Sequence, residues 1–598
     1  MKNYYLSLIF AYVLPLGANA QGSVAEANEK HPLGQYAELP DPKPHDSDAK
    51  WDAIAAPVML SWGTTDVRYT KHDVPQVKRT DSWKGAAWRG ERVNAQAVLW
   101  TKTDLKDVKV TLSDLRSAKG VIPSKALKAN FVRYVMTDEL NKDGKGGCGC
   151  RENKAEWDSS LVADVLDINA TLPVKRNSAQ PIWVNVSVPR DAAPGVYDGT
   201  VTVTADGMAA PQTLRMQLKV LNRTLPEPQK WHLNVDLWQN PYSVARYYGV
   251  PLWSKEHFDA MRPILKMIAD AGQWTITASI MHKPWNGQTE DHYDSMVTRI
   301  KHIDGSWSYD YAVFDRWVEF MKDDVGIDRL ICCYTMIPWA LNFDYYDEAT
   351  NRIQFVEAKP GDVEYETYWL NFLNDFARHL KQKGWFDRTA ISMDERDMES
   401  MLAAIKIIRK ADPDFKISFS GNYHEEIQSE IYYLCIPYGH KYPADVLKQR
   451  RAKGQISTYY TCCTEPFPGT FSFSNPAEAA WIGIHAVAAD YDGYLRWAVN
   501  SWTKDPLRDS RFRTWAAGDT YSIYPGPRSS IRFERLVEGL QCAEKITQLR
   551  KEYKKNGKTA QLKRLNRAVA EFAPSYDVTE KRDEAAGMVK NLEKLLNE

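Results

Sequence analysis

A chain of 598 residues is longer than one hydrophobic core can organise, so roughly two to four domains are expected. At 44% hydrophobic and 26% charged residues it is not a disordered chain. The 77 Lys and Arg cancel the 77 Asp and Glu with no long run of one sign, which excludes the concentrated basic face of a nucleic-acid binder. The excess lies in the aromatics, with 21 Trp, 31 Tyr and 18 Phe. Indole and phenol rings offer flat apolar faces with a polar edge, which suits sugar rings as well as large cores.

In chain order, residues 1–20 read as an export signal. Lys2 gives the positive start, an apolar run follows from Leu6 to Leu16, and Ala18-Asn19-Ala20 is a small-x-small cleavage site. The run falls short of the about 20 residues a membrane helix needs, and no later stretch is apolar for long enough. No Cys follows the cleavage site, so no lipid anchor is expected there. A soluble periplasmic or secreted protein is expected, with residues 21–50 as a polar, Pro-containing leader or linker.

Residues 51–225 carry a period of two. Ile182, Val184, Val186 and Val188 alternate with Trp183, Asn185 and Ser187, and after a Pro/Gly turn the segment Tyr197 to Val203 returns. This pattern predicts an antiparallel β-sandwich with one buried face per sheet. Leu225-Pro226-Glu227-Pro228 closes it as a stiff linker.

Over 230–530 short apolar runs alternate with amphipathic segments. Strands are predicted at 231–238, 273–280, 328–335, 389–393, 416–420, 431–436, 455–461 and 492–498, with helical faces such as Met401, Ala404, Ile405 and Ile408 between most of them. Eight such units over roughly 300 residues is the count of a (β/α)8 TIM barrel. Residues 531–598 are charged and helical and are expected to pack outside it. The eight cysteines come largely as neighbours (Cys148/Cys150, Cys332/Cys333, Cys462/Cys463), a spacing that favours buried free thiols over a disulfide framework, with one or two long-range bridges left open. Residues 139–144 have the outline of a calcium loop, but Cys150 stands where the final Glu is required. No zinc-ligand cluster or phosphate loop is found, and no metal or cofactor is expected.

In a barrel the site lies where the strands' C-terminal ends converge. Those ends deliver Trp238 and Asn240, His282 and Trp285, Asp394 and Glu395, Asn422 and His424, Tyr459 and Tyr460, then Trp497 and Trp502. Carboxylates ringed by aromatics describe a sugar site. The sharpest feature is Ile391-Ser392-Met393-Asp394-Glu395, an apolar strand running into adjacent carboxylates. Glycoside hydrolysis commonly uses two carboxyl groups. An adjacent pair also serves a 2-acetamido sugar, one residue protonating the leaving oxygen while its neighbour holds the acetamide. Tyr459 and Tyr460 point to opposite sides of their strand, so at most one reaches the ligand. Asp519 and Tyr524 sit in the loop after the last strand, placed to close over a sugar or to order that loop.

With Asp394-Glu395 after the fourth strand, Y-Y-T-C-C-T-E-P-F-P at 459–468, G-Y-L-R-W-A-V-N-S-W at 493–502 and G-D-T-Y-S-I-Y-P-G-P at 518–527, the region from Trp231 to about Leu540 resembles glycoside hydrolase family 123. Together with the sandwich, the resemblance covers nearly all of the chain after its signal. It implies an exo-acting, retaining N-acetyl-β-galactosaminidase working by substrate assistance. Asp394 would orient and polarise the acetamide, Glu395 would be the general acid/base, and the substrate would be an oligosaccharide or glycolipid ending in β-linked N-acetylgalactosamine. Two other readings stay open. One is a double-displacement β-glycosidase using Glu395 and Glu465, and the other is an exported glycan-binding protein without catalysis.

Overall fold

The computed structural model describes residues 34–141, 157–463, 465, 467–513, 515–575 and 579–598. The export signal, Cys148, Cys150 and residues 142–144 of the segment with a calcium-loop outline lie outside these residues.

The N-terminal region is two packed sheets. One runs Val58–Trp62, Arg92–Thr101, Ser178–Ser187, Leu127–Asn141, Trp157–Leu166 in spatial order, and the other is built on Ser82–Arg89, Gln212–Thr224, Gly195–Asp206, Leu105–Leu112 and Thr171–Val174. All pairings are antiparallel except Gln212–Thr224 with Ser82–Arg89. Ile182, Val184, Val186 and Val188 enter the core between the sheets, as their spacing predicts. The alternate face of the same strand is buried too, contrary to the expectation of one buried face. Trp183 donates to Asn94 Oδ1 at 3.1 Å and Asn185 to Glu534 Oε2 at 3.0 Å, because the C-terminal helix Ile531–Lys555 lies over it.

The barrel strands are β1 (Asn234–Leu237), β2 (Thr275–Ser279), β3 (Leu330–Tyr334), β4 (Thr389–Asp394), β5 (Lys416–Ser420), β6 (Tyr433–Pro437), β7 (Ile456–Tyr460) and β8 (Gly493–Arg496). They pair in parallel in the order β1-β8-β7-β6-β5-β4-β3-β2. Between β1 and β2 the ladder shrinks to the Val235–Gln273 bridge, and side chains complete the closure: Gln273 accepts from the Leu237 N–H and Gln239 from the Thr277 N–H, both at 2.9 Å. The result is a nearly closed eight-stranded barrel. Helices follow the strands except β5, after which no helix is found among the described residues. No described helix is long and apolar enough to cross a membrane.

One element escaped the sequence reading. Trp307–Asp310, Thr298–Lys301, Asn342–Asp347 and Arg352–Glu357 form a separate four-stranded sheet, from the segments that follow β2 and β3. Its strands are four to six residues long and mix charge with aromatics, so no buried face shows in their spacing. Phe343 anchors it against Trp369 and Tyr365 of the helix Val363–Lys383.

A buried polar seam joins sandwich and barrel. Asp164 receives Arg532 at 2.9 Å, Arg68 at 2.9 Å and the Tyr524 hydroxyl at 2.6 Å, while Asp167 receives Arg528 at 2.8 Å and Arg133 at 2.9 Å. Burial alone would raise both carboxyls, yet the guanidinium groups around them hold both below the ordinary range. The sandwich also grips the loop after β8, where Asp138 accepts from the Ala517 N–H at 3.1 Å and Met136 bonds the Arg508 carbonyl and the Ser510 N–H.

The helices Pro476–Ala488 and Ile531–Lys555 cross at two glycines. A Cβ on Gly539 would stand 2.8 Å from the Ala480 carbonyl carbon, and one on Gly483 would stand 2.5 Å from the Gly539 oxygen. A helical Gly→Ala change ordinarily gains about 1 kcal/mol. Gly539→Ala should instead lose about 1–3 kcal/mol by forcing the helices apart, read as a lowered thermal midpoint. An unchanged or raised midpoint would refute close packing at this crossing.

Candidate active site

Strand alternation decides what enters the barrel. Ala390 and Cys332 belong to the interior cluster, while Ile391, Met393 and Cys333 pack outward beneath the helices. Ser392, on the inward register, bonds its neighbour Ser418 on β5 at 2.6 Å. Asp394 is the next inward position and the last residue of β4. On a continuing strand Glu395 would point to the helix layer. The strand ends there, and Glu395 lines the same pocket as Asp394.

Glu395 is held in that position by the end of β5. Its Oε2 accepts from the Asn422 backbone N–H at 2.8 Å and its Oε1 from the Asn422 side-chain amide at 2.6 Å. His424 Nε2 stands 3.5 Å from Oε1. The residue between strand and cradle must be glycine, since a Cβ on Gly421 would lie 2.7 Å from Glu395 Cβ and 2.8 Å from its Oε2.

The pocket is a cavity of about 440 Å³ at the C-terminal mouth of the barrel, the size range of small-molecule sites. Five tryptophans line it: Trp238, Trp285, Trp339, Trp497 and Trp515. Trp285 packs between Trp238 and Tyr334, with ring centroids 4.9 and 5.1 Å away, forming a rigid aromatic wall. Trp515 meets Trp497 edge-on at 5.8 Å and donates its N–H to the Gln288 carbonyl at 3.0 Å, which ties the loop after β8 to the loop after β2.

Burial pushes the Asp394 carboxyl up to about 6, against the pull of Arg396 and the Trp285 N–H. Its Oδ2 is buried and makes no close hydrogen bond among the described residues, with only the more distant Trp285 N–H acting on the carboxyl. An unsatisfied buried acceptor costs free energy until something donates to it, so this oxygen is a waiting site for a ligand N–H or O–H. Asp519 also lines the pocket, but its carboxylate pairs with Arg496, and burial raises it above the ordinary range against that partner.

Of the residues singled out in the sequence, Asp394, Glu395, Trp238, Tyr460, Trp497 and Asp519 line the pocket, and Asn422 and His424 stand behind Glu395. Three lie elsewhere. Tyr459 points outward into the helix layer and donates to the Ile482 carbonyl at 2.6 Å. Trp502 is fully buried outside the barrel mouth, with its N–H on the Ile523 carbonyl at 2.7 Å and its ring against Tyr247. Tyr524 is fully buried on Asp164 in the domain seam. Glu465 is not among the pocket-lining residues, and its Oε2 accepts from the Cys462 N–H at 2.7 Å.

Trp285, at the C-terminal end of the second predicted strand, lines the pocket too. Gln288, Trp339, Ser420 and Trp515 were missed. Ser420 was available from β5's alternation, whereas the others sit on loops with no periodic signal. Cys332, Cys333, Cys435 and Cys542 are buried free thiols, and Cys463, in the pocket wall, is disulfide-bonded. Among the described residues no group of three His, Cys, Asp or Glu is placed to hold a metal ion.

Residues 238–549 match the glycoside hydrolase 123 catalytic domain and residues 62–205 the glycoside hydrolase 123 N-terminal domain. No curated protein matches the chain. Among solved structures, a family 123 glycoside hydrolase from Clostridium perfringens, described for glycolipid glycan hydrolysis, is 25% identical over 91% of this chain and 98% of its own, with a TM-score of 0.81. The β-glucuronidase 3 of Bacteroides uniformis (9% identity, 82% of this chain and 51% of its own, TM-score 0.29) and a β-glucuronidase of Parabacteroides merdae (9%, 74% and 52%, TM-score 0.28) are too distant to bear on the argument. A catalytic-domain match across more than half the residues, over a barrel that brings two adjacent carboxylates into one aromatic pocket, makes this chain a member of glycoside hydrolase family 123.

Proposed function

We propose that the protein is an exo-acting, retaining N-acetyl-β-galactosaminidase that works by substrate assistance on glycans, including those of glycolipids, and that it is exported on the signal at residues 1–20. The observation that carries the reading is the division of labour in the carboxylate pair. Asp394 has a buried acceptor oxygen that makes no close hydrogen bond among the described residues, and Glu395 beside it has its carboxyl held by two N–H groups of Asn422. The relative from Clostridium perfringens, described for glycolipid glycan hydrolysis, supports the substrate class.

In this reading the terminal sugar enters the tryptophan-lined cavity with its acetamide N–H on Asp394. The acetamide oxygen attacks the anomeric carbon as the glycosidic bond breaks, and Glu395 gives its proton to the leaving oxygen. Positive charge grows on the forming oxazolinium ring, where Asp394 stabilises it more than it stabilises the bound substrate. The two Asn422 N–H groups stabilise the Glu395 carboxylate that remains, ready to take a proton from the water that opens the ring. Configuration is retained because the anomeric carbon is inverted twice.

Four outcomes are expected. Aryl β-N-acetylgalactosaminide should be turned over faster than the β-N-acetylglucosaminide and β-galactoside at equal concentration, and a thiazoline analogue should inhibit strongly. Preferred cleavage of the β-galactoside, with a 2-fluoro sugar trapped on Glu465, would overturn substrate assistance. Glu395→Gln should cost about 10²–10⁴ in rate on a poor leaving group and less on an activated aryl glycoside; equal losses would remove Glu395 as the acid. Asp394→Asn should lower kcat by about 10²–10³.

Asp394 also sets a pH dependence. Burial holds its carboxyl up at about 6, and only the ionised form carries the charge that stabilises the forming oxazolinium ring, so kcat/KM should fall as pH drops through about 6. Asp394→Asn should erase that limb. The raised value also means that ionised Asp394 opposes folding. The penalty is absent below the ordinary 3.8, grows between there and about 6, and persists above. Asp394→Asn should therefore raise the thermal midpoint at pH 7 more than at pH 4, and an equal shift at both would show that burial does not strain this carboxylate.

A further inference from the structure

The mechanism just described leaves Trp339 unused. It is 61% exposed, whereas each other tryptophan whose side chain is described is buried or half-buried. A single exposed apolar side chain is ordinary on a protein surface, but two observations set this one apart. Trp339 lines the catalytic pocket, on the segment that follows β3. It is also pinned, because the Arg396 guanidinium lies 3.9 Å from its ring centroid, a stacking geometry. Arg396 in turn bonds the Pro338 carbonyl at 3.3 Å and the Glu395 carbonyl at 2.5 Å. One guanidinium thus ties the indole and the backbone just before it to the backbone of Glu395.

We propose that Trp339, fixed by Arg396, is the platform on which the aglycone's first sugar ring stacks. The assignment rests on Glu395 being the acid. The bond that breaks lies at Glu395, so the leaving sugar must occupy the space beside it, toward the open side of the pocket. Trp339 is the exposed aromatic surface that the structure holds there. One of its faces is taken by Arg396, and the other offers flat apolar area to the C–H face of a hexopyranose. The stack supplies selectivity for an oligosaccharide or glycolipid glycan over a small alkyl aglycone, with the pocket proper left to choose the terminal sugar. Arg396 acts as a positioning residue for the indole.

The test compares each substrate as a disaccharide and as its methyl glycoside, two alcohol leaving groups that both need the acid but differ in having a ring to stack. A panel of β-linked N-acetylgalactosaminyl, N-acetylglucosaminyl and galactosyl compounds is used with the wild-type protein, Trp339→Ala and Trp339→Tyr. The sugar that wild type cleaves reports on the proposed activity. The ratio of disaccharide to methyl glycoside kcat/KM reports on Trp339, whichever sugar that is. Trp339→Ala should lower the ratio about tenfold, the loss of roughly one aromatic stacking contact, and Trp339→Tyr should recover most of it. A ratio unchanged in Trp339→Ala, or lowered equally in Trp339→Tyr, would overturn the platform.

Discussion

The pocket depends on the chain leaving β4 between Asp394 and Glu395. A regular strand sends neighbouring side chains to opposite faces, so an adjacent pair can share a cavity only where the ladder stops. Asp394 obeys the alternation that carries Ala390 and Ser392 inward, and Glu395 breaks it. The break is held by β5, whose end supplies both Asn422 donors and the Gly421 position that leaves room for the carboxyl. The arrangement therefore needs two neighbouring strands, one presenting both carboxylates and the next fixing Glu395.

Beneath the pair the barrel interior is fully buried and holds aromatic rings beside serine and aspartate side chains, and this burial sets the electrostatics above it. Asp236, at an inward position of β1, is fully buried and bonded to the Tyr433 hydroxyl at 3.0 Å, and burial raises it to about 7. Asp394 is raised for the same reason. A dry floor strengthens any charge interaction made with a substrate, at the cost of making the carboxylate harder to ionise. The wall of Trp238, Trp285 and Tyr334 keeps that floor rigid as well as apolar.

The sandwich contributes to the site without lining it. Asp164 and Asp167 gather Arg68, Arg133, Arg528, Arg532 and Tyr524 into the seam, and Asp138 with Met136 grips the loop after β8. That loop brings Trp515 and Asp519 to the pocket. Breaking a buried ion pair leaves a stranded charge, so these contacts couple the loop's position to the integrity of the N-terminal sheets. The same packing explains why both faces of Ser178–Ser187 are buried: the face that reads as polar carries Trp183 and Asn185 against the barrel's last helix.

Local sequence was enough to find the eight barrel strands and the carboxylate pair. Buried parallel strands are short apolar runs, and a strand end running into Asp-Glu needs no distant partner to be visible. Strand alternation also separated Tyr460 from Tyr459. Trp502 and Tyr524 read as binding residues because they lie near the pocket in sequence. Only tertiary packing shows one against Tyr247 and the other on Asp164, since burial by a distant segment leaves no mark on local spacing. Gln288, Trp339 and Trp515 were hidden for the opposite reason: they sit on loops without period, and their place in the wall is fixed by long-range contacts such as Trp515 on Gln288 and Trp339 under Arg396. The four-stranded sheet beside the barrel was invisible because its short strands bury apolar surface only against a helix that follows them in the chain. Backbone period and local chemistry thus specified the strands and the carboxylate pair, and the wall around that pair was decided by which loops the folded barrel and the sandwich bring together.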